Sequence, residues 1–434
     1  MPIFSRRRLQ AMLDDIRPLL AEKKKENDLL ARLRNKKPEQ VLGAEMELAL
    51  LWAIKQVSDI EIEPSLPNSS RIPEAFSENL FDIPAYIEIT TLSDGDLSGE
   101  KEMQRAAQKI TSFSNSIKKG RGSFLYYRFQ ERSGWEEGKY FRQRCVTSDF
   151  ELDDIIKEKL QAWIPTCRTS DYIRLHNNDI DVVLEVKLHK QKEGFNYWCS
   201  LPPLAYDLTD NPLYKRLLEK EKQLSGAPDN SYKVIFLTDG GSRLLRKLTE
   251  TDPQNLYKSG QAIISNFMGN SKVDMVMVFS PKRESSYHTT LSSLNWQVSC
   301  FLKDNKNILL DKANEFLSLI PAPRFEGYQA RSIQKQGAFA PLANGWYLGN
   351  HITSGRNVLT MKISARALQE YLAGTINQEQ FERHISSGDK NLFQLWLLQG
   401  HTISDITFEK AGIDEDDDLV VFQFNKDPAA TNLK

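Results

Sequence analysis

Two segments of the chain hold carboxylates at a spacing that could bind a metal. One is DIPAYIEIT, with Asp82, Glu88 and Thr90; the other is DIDVVLEVK, with Asp179, Asp181, Glu185 and Lys187. Both read D-x5-E-x-(T/K). In a strand, side chains at i and i+2 share a face. In the second segment Ile180, Val182, Leu184, Val186 and Leu188 therefore point one way, and Asp179, Asp181, Glu185 and Lys187 the other. Carboxylate oxygens grouped with an ammonium are what metal-dependent phosphodiester hydrolysis needs: oxygens to hold a hard divalent cation and a lysine to orient the attacking water. A half-buried antiparallel strand shows the same alternation, and Lys187 beside Glu185 is then only a solvated face.

The surrounding pattern supplies elements to carry these residues. Residues 38–54, containing LGAEMELALLWAI, read as a helix, because Leu42, Met46, Ala49, Leu50 and Ala53 recur at helical spacing. Strands are expected near Ile72 to Glu74 and at 85–91, with room for another at 60–62, followed by a helix over 100–118 and a strand over 123–129. The order then repeats: helix 150–163, strand 180–188, a helix opened by Asn211 and Pro212, and strand 233–238. A further helix near 260–268 and strand 273–279 follow. Alternating strands and helices predict α/β cores. After Pro321 and Pro323 the composition turns to Gly and aromatics, and a third region of α+β type is expected.

The carboxylate strands with these flanking elements resemble the PD-(D/E)xK, or restriction-endonuclease-like, nuclease superfamily. The resemblance implies two tandem αβββαβ modules, at 38–148 and 149–320, between a basic helical arm at 1–37 and an α+β recognition or assembly domain at 321–434. It implies Mg²⁺ or Mn²⁺ as cofactor. The metal would be held by Asp179 or Asp181 with Glu185 in the second module, and by Glu88 with Asp82 or Glu74 in the first. Lys187 would position or activate water, and Glu45 or Glu47 would add the carboxylate that family members often bring from the preceding helix. Thr90 stands where the family expects lysine, so the second module is expected to be the more active. The implied activity is endonucleolytic, most readily on DNA, in restriction or phage defence. The alternative is a non-catalytic nucleic-acid-binding or protein-interaction subunit with a degenerate nuclease fold, which Thr90 favours; a homodimer or partner subunit fits either.

Charge is segregated along a chain of 434 residues whose net charge is only −1. Residues 1–38 hold eleven basic and five acidic side chains, residues 101–146 eleven and four, and residues 404–434 three and eight. Nucleic-acid contact is expected from Gln108, Lys109, Lys118, Lys119, Arg121 and Arg128, with Tyr126, Tyr127, Trp135 and Tyr140 available to stack on unpaired bases. Lys220, Lys222 and Gln223 occupy the corresponding helix of the second module. Residues 238–242 (TDGGS) follow a strand and could cradle an anion on backbone amides, but GxxxxGK[ST] and GxSxG are absent. Residues 414–418 (DEDDD) read as an exposed acidic turn. Four scattered cysteines and six unclustered histidines exclude a zinc ribbon or disulfide scaffold. With no apolar run of membrane length and no secretory leader, a cytoplasmic protein is expected.

Overall fold

The computed structural model describes residues 2–20, 23–35, 37–66, 69–81, 83–189, 197–198, 203–254, 256–284, 293–303, 311–335, 351–354, 359–387 and 390–427. It is mixed α/β with several sheets. Its contacts separate two compact units: Met1–Leu92, Glu219–Gly241 and Ser271–Lys434 form one, and Ser93–Leu218 with Ser242–Asn270 the other.

The first unit is organised by a six-stranded sheet in the order Ile60–Ile62, Ala75–Ser77, Ala85–Leu92, Tyr232–Asp239, Met275–Glu284, Ser293–Leu302. The first two joins are antiparallel, the next two parallel and the last antiparallel. Every residue of Tyr232–Asp239 is buried, as a strand flanked on both sides and covered on both faces requires. Ala85, Ile87 and Ile89 join the main core on one face of their strand. The helix Pro38–Val57 starts with proline at its first turn, where the missing N–H costs nothing, and is buried over most of its length. Ile3, Phe4 and the helix Arg6–Ile16 complete this core.

The second unit has its own sheet, in the order Tyr172–His176, Asp181–Val186, Leu125–Phe129, Tyr197–Trp198, under the helices Glu100–Ile117 and Asp154–Trp163. This pairing differs from two modules in tandem. Leu125–Phe129, expected in the first module, lies antiparallel to Asp181–Val186 of the second. Tyr232–Asp239, expected in the second, is parallel to Ala85–Leu92 of the first. The periodicity identified the strands, but a strand's hydrophobic pattern does not name its neighbour.

The C-terminal region is α+β, with an antiparallel sheet His351–Ser354, Leu359–Ser364, Leu419–Lys426, His401–Glu409 and three short helices around Met361, Ile363, Trp396 and Phe424. The acidic run before its last strand is a turn exposed at Asp414 and Glu415 but buried at Asp416 and Asp417. Arg6 meets Asp417 at 3.0 Å, Arg7 meets Asp418 at 2.8 Å and Arg8 meets Asp414 at 3.0 Å. Asp416 is buried and takes Arg324 at 2.7 Å and the Arg6 backbone N–H at 2.6 Å. Burial pushes the Asp416 carboxyl up against the pull of Arg324. Among the described residues no helix is long and apolar enough to cross a membrane.

Arg324→Ala strands a buried carboxylate, so a loss of about 3 kcal/mol is expected. Urea unfolding of the variant at neutral pH measures it, and a loss below about 1 kcal/mol would show that Arg6 and water satisfy Asp416 without the guanidinium.

Candidate functional site

Three segments of the first unit, the last of them beginning at Glu219, converge on one group of charges largely withdrawn from water. Glu88 is central in Ala85–Leu92, on the face opposite Ile87 and Ile89, and is fully buried. Glu74 immediately precedes Ala75–Ser77, which pairs with the same strand. Lys220 belongs to the last turn of the helix Pro212–Gln223. Leu213, Leu217 and Leu224 are buried, and Lys220 falls at helical spacing among them, on the apolar stripe rather than the solvent face. Its Nζ donates to Glu88 Oε2 at 2.6 Å and to Glu74 Oε1 at 3.3 Å.

The helix Pro38–Val57 adds a fourth charge nearby. Glu47 accepts both terminal nitrogens of Arg32, Nη2 to Oε1 at 2.7 Å and Nη1 to Oε2, and its charge is felt at both Glu74 and Glu88. Glu45 does not take part. Residues two apart on a helix face roughly opposite ways. Glu45 accepts the Ile3 and Phe4 backbone N–H groups at 2.9 and 3.1 Å and anchors the chain's start inside the core. The helix carboxylate beside the site is therefore Glu47.

Electrostatics mark the cluster as unbalanced. Two carboxylates, Glu88 fully buried and Glu74 26% exposed, share one ammonium that is 11% exposed. Desolvation drives Glu88 up to about 7 against the opposing pull of Lys220. It does the same to Glu74, reinforced by the charge of Glu47. Burial alone would depress the Lys220 ammonium, but Glu88 and Glu74 outweigh it and hold the group above the usual lysine range. Lys220 stays charged near neutrality while the carboxyls sit close to their midpoints.

The second carboxylate segment is arranged differently. Lys187 Nζ meets Glu185 Oε1 at 2.7 Å, a partly exposed pair on the surface of its unit, with the ammonium 5.2 Å from the Tyr126 ring centre. Asp181 is gripped by the Arg174 fork at 2.7 and 2.5 Å. Asp179 is exposed in the turn before the strand, its N–H on Asn177 Oδ1. Asp82 lies outside the described residues.

The expected nucleic-acid contacts are partly turned inward. Lys109 donates to the Phe150 carbonyl at 2.8 Å, Lys118 to the Pro165 carbonyl at 3.3 Å, and Arg121 to the carbonyl and sulfur of Cys167. Lys119 and Arg128 are exposed. The anion cradle at 238–242 is engaged from within, because the Gly241 N–H donates to Asp239 Oδ1 at 2.8 Å.

Among the described residues, no three His, Cys, Asp or Glu side chains form a group placed to hold a metal. Glu74 and Glu88 nevertheless offer a two-carboxylate donor set, and Glu88 Oε1 is buried without a hydrogen-bond donor. Magnesium commonly takes only one or two protein carboxylates, with water and substrate phosphate completing its shell. The residues fit that demand. Comparison of the chain with protein-family models, curated proteins and solved structures gives no match.

Sequence reading found Glu74, Glu88 and Glu47 but not the roles of Lys220 and Arg32. The signal for Lys220 was available: a lysine on the apolar stripe of an amphipathic helix needs a buried partner.

The carboxyls of Glu74 and Glu88 rise from about 4.5 in the open chain to about 7 when folded. The folded state thus binds their protons more tightly, and the stabilisation present below pH 4.5 is lost as pH rises through 7. Glu88→Gln leaves one carboxylate for one ammonium. The variant is expected to be more stable than the parent at pH 8 by about 1–3 kcal/mol and to lose much of this advantage at pH 5. Chemical unfolding at both values measures it; an equal stability difference at the two would contradict the assignment.

Proposed function

We propose that the chain is a Mg²⁺- or Mn²⁺-dependent endonuclease of nucleic acid, most readily of DNA, with its site at Glu74, Glu88 and Lys220. The observation that carries this reading is the Lys220 ammonium between the two carboxylates. It supplies from a helix the charge that Thr90 leaves absent from the strand. The element order supports it as well. With the segment between Leu92 and Pro212 set aside as an insertion, helix Pro38–Val57, three strands joined antiparallel, helix Pro212–Gln223 and a parallel strand follow the αβββαβ order that resemblance to PD-(D/E)xK nucleases implies for one module.

Glu74 and Glu88 would hold the divalent cation. When bound there, it would supply Lewis-acid polarisation of a phosphoryl oxygen and a more acidic water. Lys220 has three N–H donors, and two are directed at Glu88 and Glu74. The third suits the attacking water or a non-bridging phosphate oxygen. Because its proton is held firmly, Lys220 orients and neutralises rather than serving as the base. Glu74 is the more exposed carboxylate of the two. The Arg32–Glu47 pair fixes the helix carboxylate beside them. Restriction or phage defence is the setting that the resemblance suggests.

Incubation of plasmid, linear and single-stranded DNA and RNA with Mg²⁺ or Mn²⁺ tests the proposal. Glu88→Ala and Lys220→Ala are expected to lower cleavage by about 100-fold or more, whereas Glu185→Ala and Lys187→Ala leave it within about twofold. Loss confined to the Glu185 and Lys187 variants would move the site to the second unit. Absence of cutting on every substrate would favour the non-catalytic binding subunit.

A further inference from the structure

The hairpin of strands Glu131–Glu136 and Lys139–Arg144 in the second unit pairs Trp135 with Tyr140 and Ser133 with Arg142. Alternation puts these four residues on one face. The rings of Trp135 and Tyr140 meet edge to face at 5.6 Å, and those of Tyr140 and Tyr206 at 5.5 Å. Trp135 is 65% exposed, unusual for so large a ring. Beside the rings opens a cavity of about 810 Å³, walled in part by Tyr140, Phe141, Arg142, Tyr206, Asp207 and Asn211. Such a volume holds a small organic ligand.

The polar groups of the wall narrow the ligand class. The Thr209 and Asp210 backbone N–H groups donate to Asp207 Oδ1 at 2.8 and 3.0 Å, and Lys139 Nζ donates to Asp207 Oδ2 at 2.8 Å. The donors that would otherwise draw a phosphate are thus given to a carboxylate, which they keep ionised well below the usual range. Glu136, Glu137 and Asp210 add negative charge. Arg142 gives Nε and Nη2 to Glu131 Oε1, which leaves Nη1 for a ligand. Aromatic faces, acidic acceptors and one guanidinium suit a flat heterocycle with adjacent N–H donors on one edge and acceptors on another.

We propose that this cavity binds a guanine base, stacked on the Tyr206 ring with Tyr140 at its edge. Its ring N–H and exocyclic amine would donate to the acidic wall at Asp207 Oδ2, and its O6 would accept from Arg142 Nη1. Stacking alone would admit any base. The acidic wall selects those with donor edges, and Arg142 selects guanine among them. The base could belong to a free nucleotide or to an unpaired position in a strand. This inference is independent of the nuclease reading, since binding rather than cleavage reads it.

Isothermal titration of the full chain with guanosine, adenosine, cytidine and uridine tests it. Arms with GMP and with an oligothymidylate containing one guanine distinguish the sources. Saturable guanosine binding at least about tenfold tighter than the other nucleosides is expected, weakened about tenfold or more by Tyr206→Ala and by Arg142→Gln. Should either variant unfold, photocrosslinking of 6-thioguanosine to the unaltered chain is expected within residues 135–143 or 204–212. Stronger binding of GMP would assign a free nucleotide, and stronger binding of the oligonucleotide an unpaired strand position. No saturable binding, equal binding of all four nucleosides, indifference to both substitutions or crosslinks elsewhere would each overturn the proposal.

Discussion

One ammonium shared by a fully buried carboxylate and a half-buried one governs how the first unit must be built. Lys220 is far in sequence from Glu88 and Glu74, and Glu88 alone would be an uncompensated charge in a dry interior. Their meeting requires the last turn of a helix, the centre of a strand and the residue just before a neighbouring strand to arrive together. The helix end helps, because a cation in the last turn of a helix is favoured by the backbone dipole. The central strands help too: parallel pairing of Ala85–Leu92 with the fully buried Tyr232–Asp239 fixes the register in which Glu88 stands beside Ile235. The local fold is arranged around a group that costs stability, which is the usual mark of a site rather than of a core.

The segregated charges of the sequence have a different meaning in three dimensions. The arginines at 6–8, which could have been an electrostatic arm, pair with the acidic run at 414–418. Arg32, from the same basic segment, is fixed to Glu47. Much of the N-terminal positive charge is thus neutralised within its own unit. The basic side chains left exposed include Lys119 and Arg128, so the excess of basic residues in the sequence overstates the positive charge offered to solvent.

Much of the local structure was legible. Alternation located the strands at 85–91, 180–188 and 233–238, and helical spacing located the long helix from Pro38. Pairing was not legible, because a slip or exchange of partners leaves each strand's own pattern intact. Thr91 and Thr238 join hydroxyls at 2.7 Å across 147 residues of chain, and nothing local announces this. The choice between Glu45 and Glu47 was hidden for another reason. Pro38–Val57 is buried on nearly all sides, so its sequence offers no polar face by which to sort the two. The E-x-K at 185–187 is a surface pair; the ammonium beside Glu88 comes from a helix, where no strand motif would seek it.

Glu45 shows why the partners of a buried carboxyl matter more than its titration. Desolvation pushes Glu45 up to about 7, as it does Glu74 and Glu88. One oxygen of Glu45 also lacks a donor, as one of Glu88 does. The difference lies in what holds them. Glu45 is bound by two backbone N–H groups of a packed segment, which cannot move without unseating Ile3 and Phe4 from the core. Glu88 is bound by a side-chain ammonium at the end of four rotatable bonds, which can turn toward an arriving phosphate or away from an arriving cation. A carboxylate fixed by backbone serves to hold the chain in place. One held by a lysine can exchange partners, and that freedom is what the proposed site at Glu74, Glu88 and Lys220 requires.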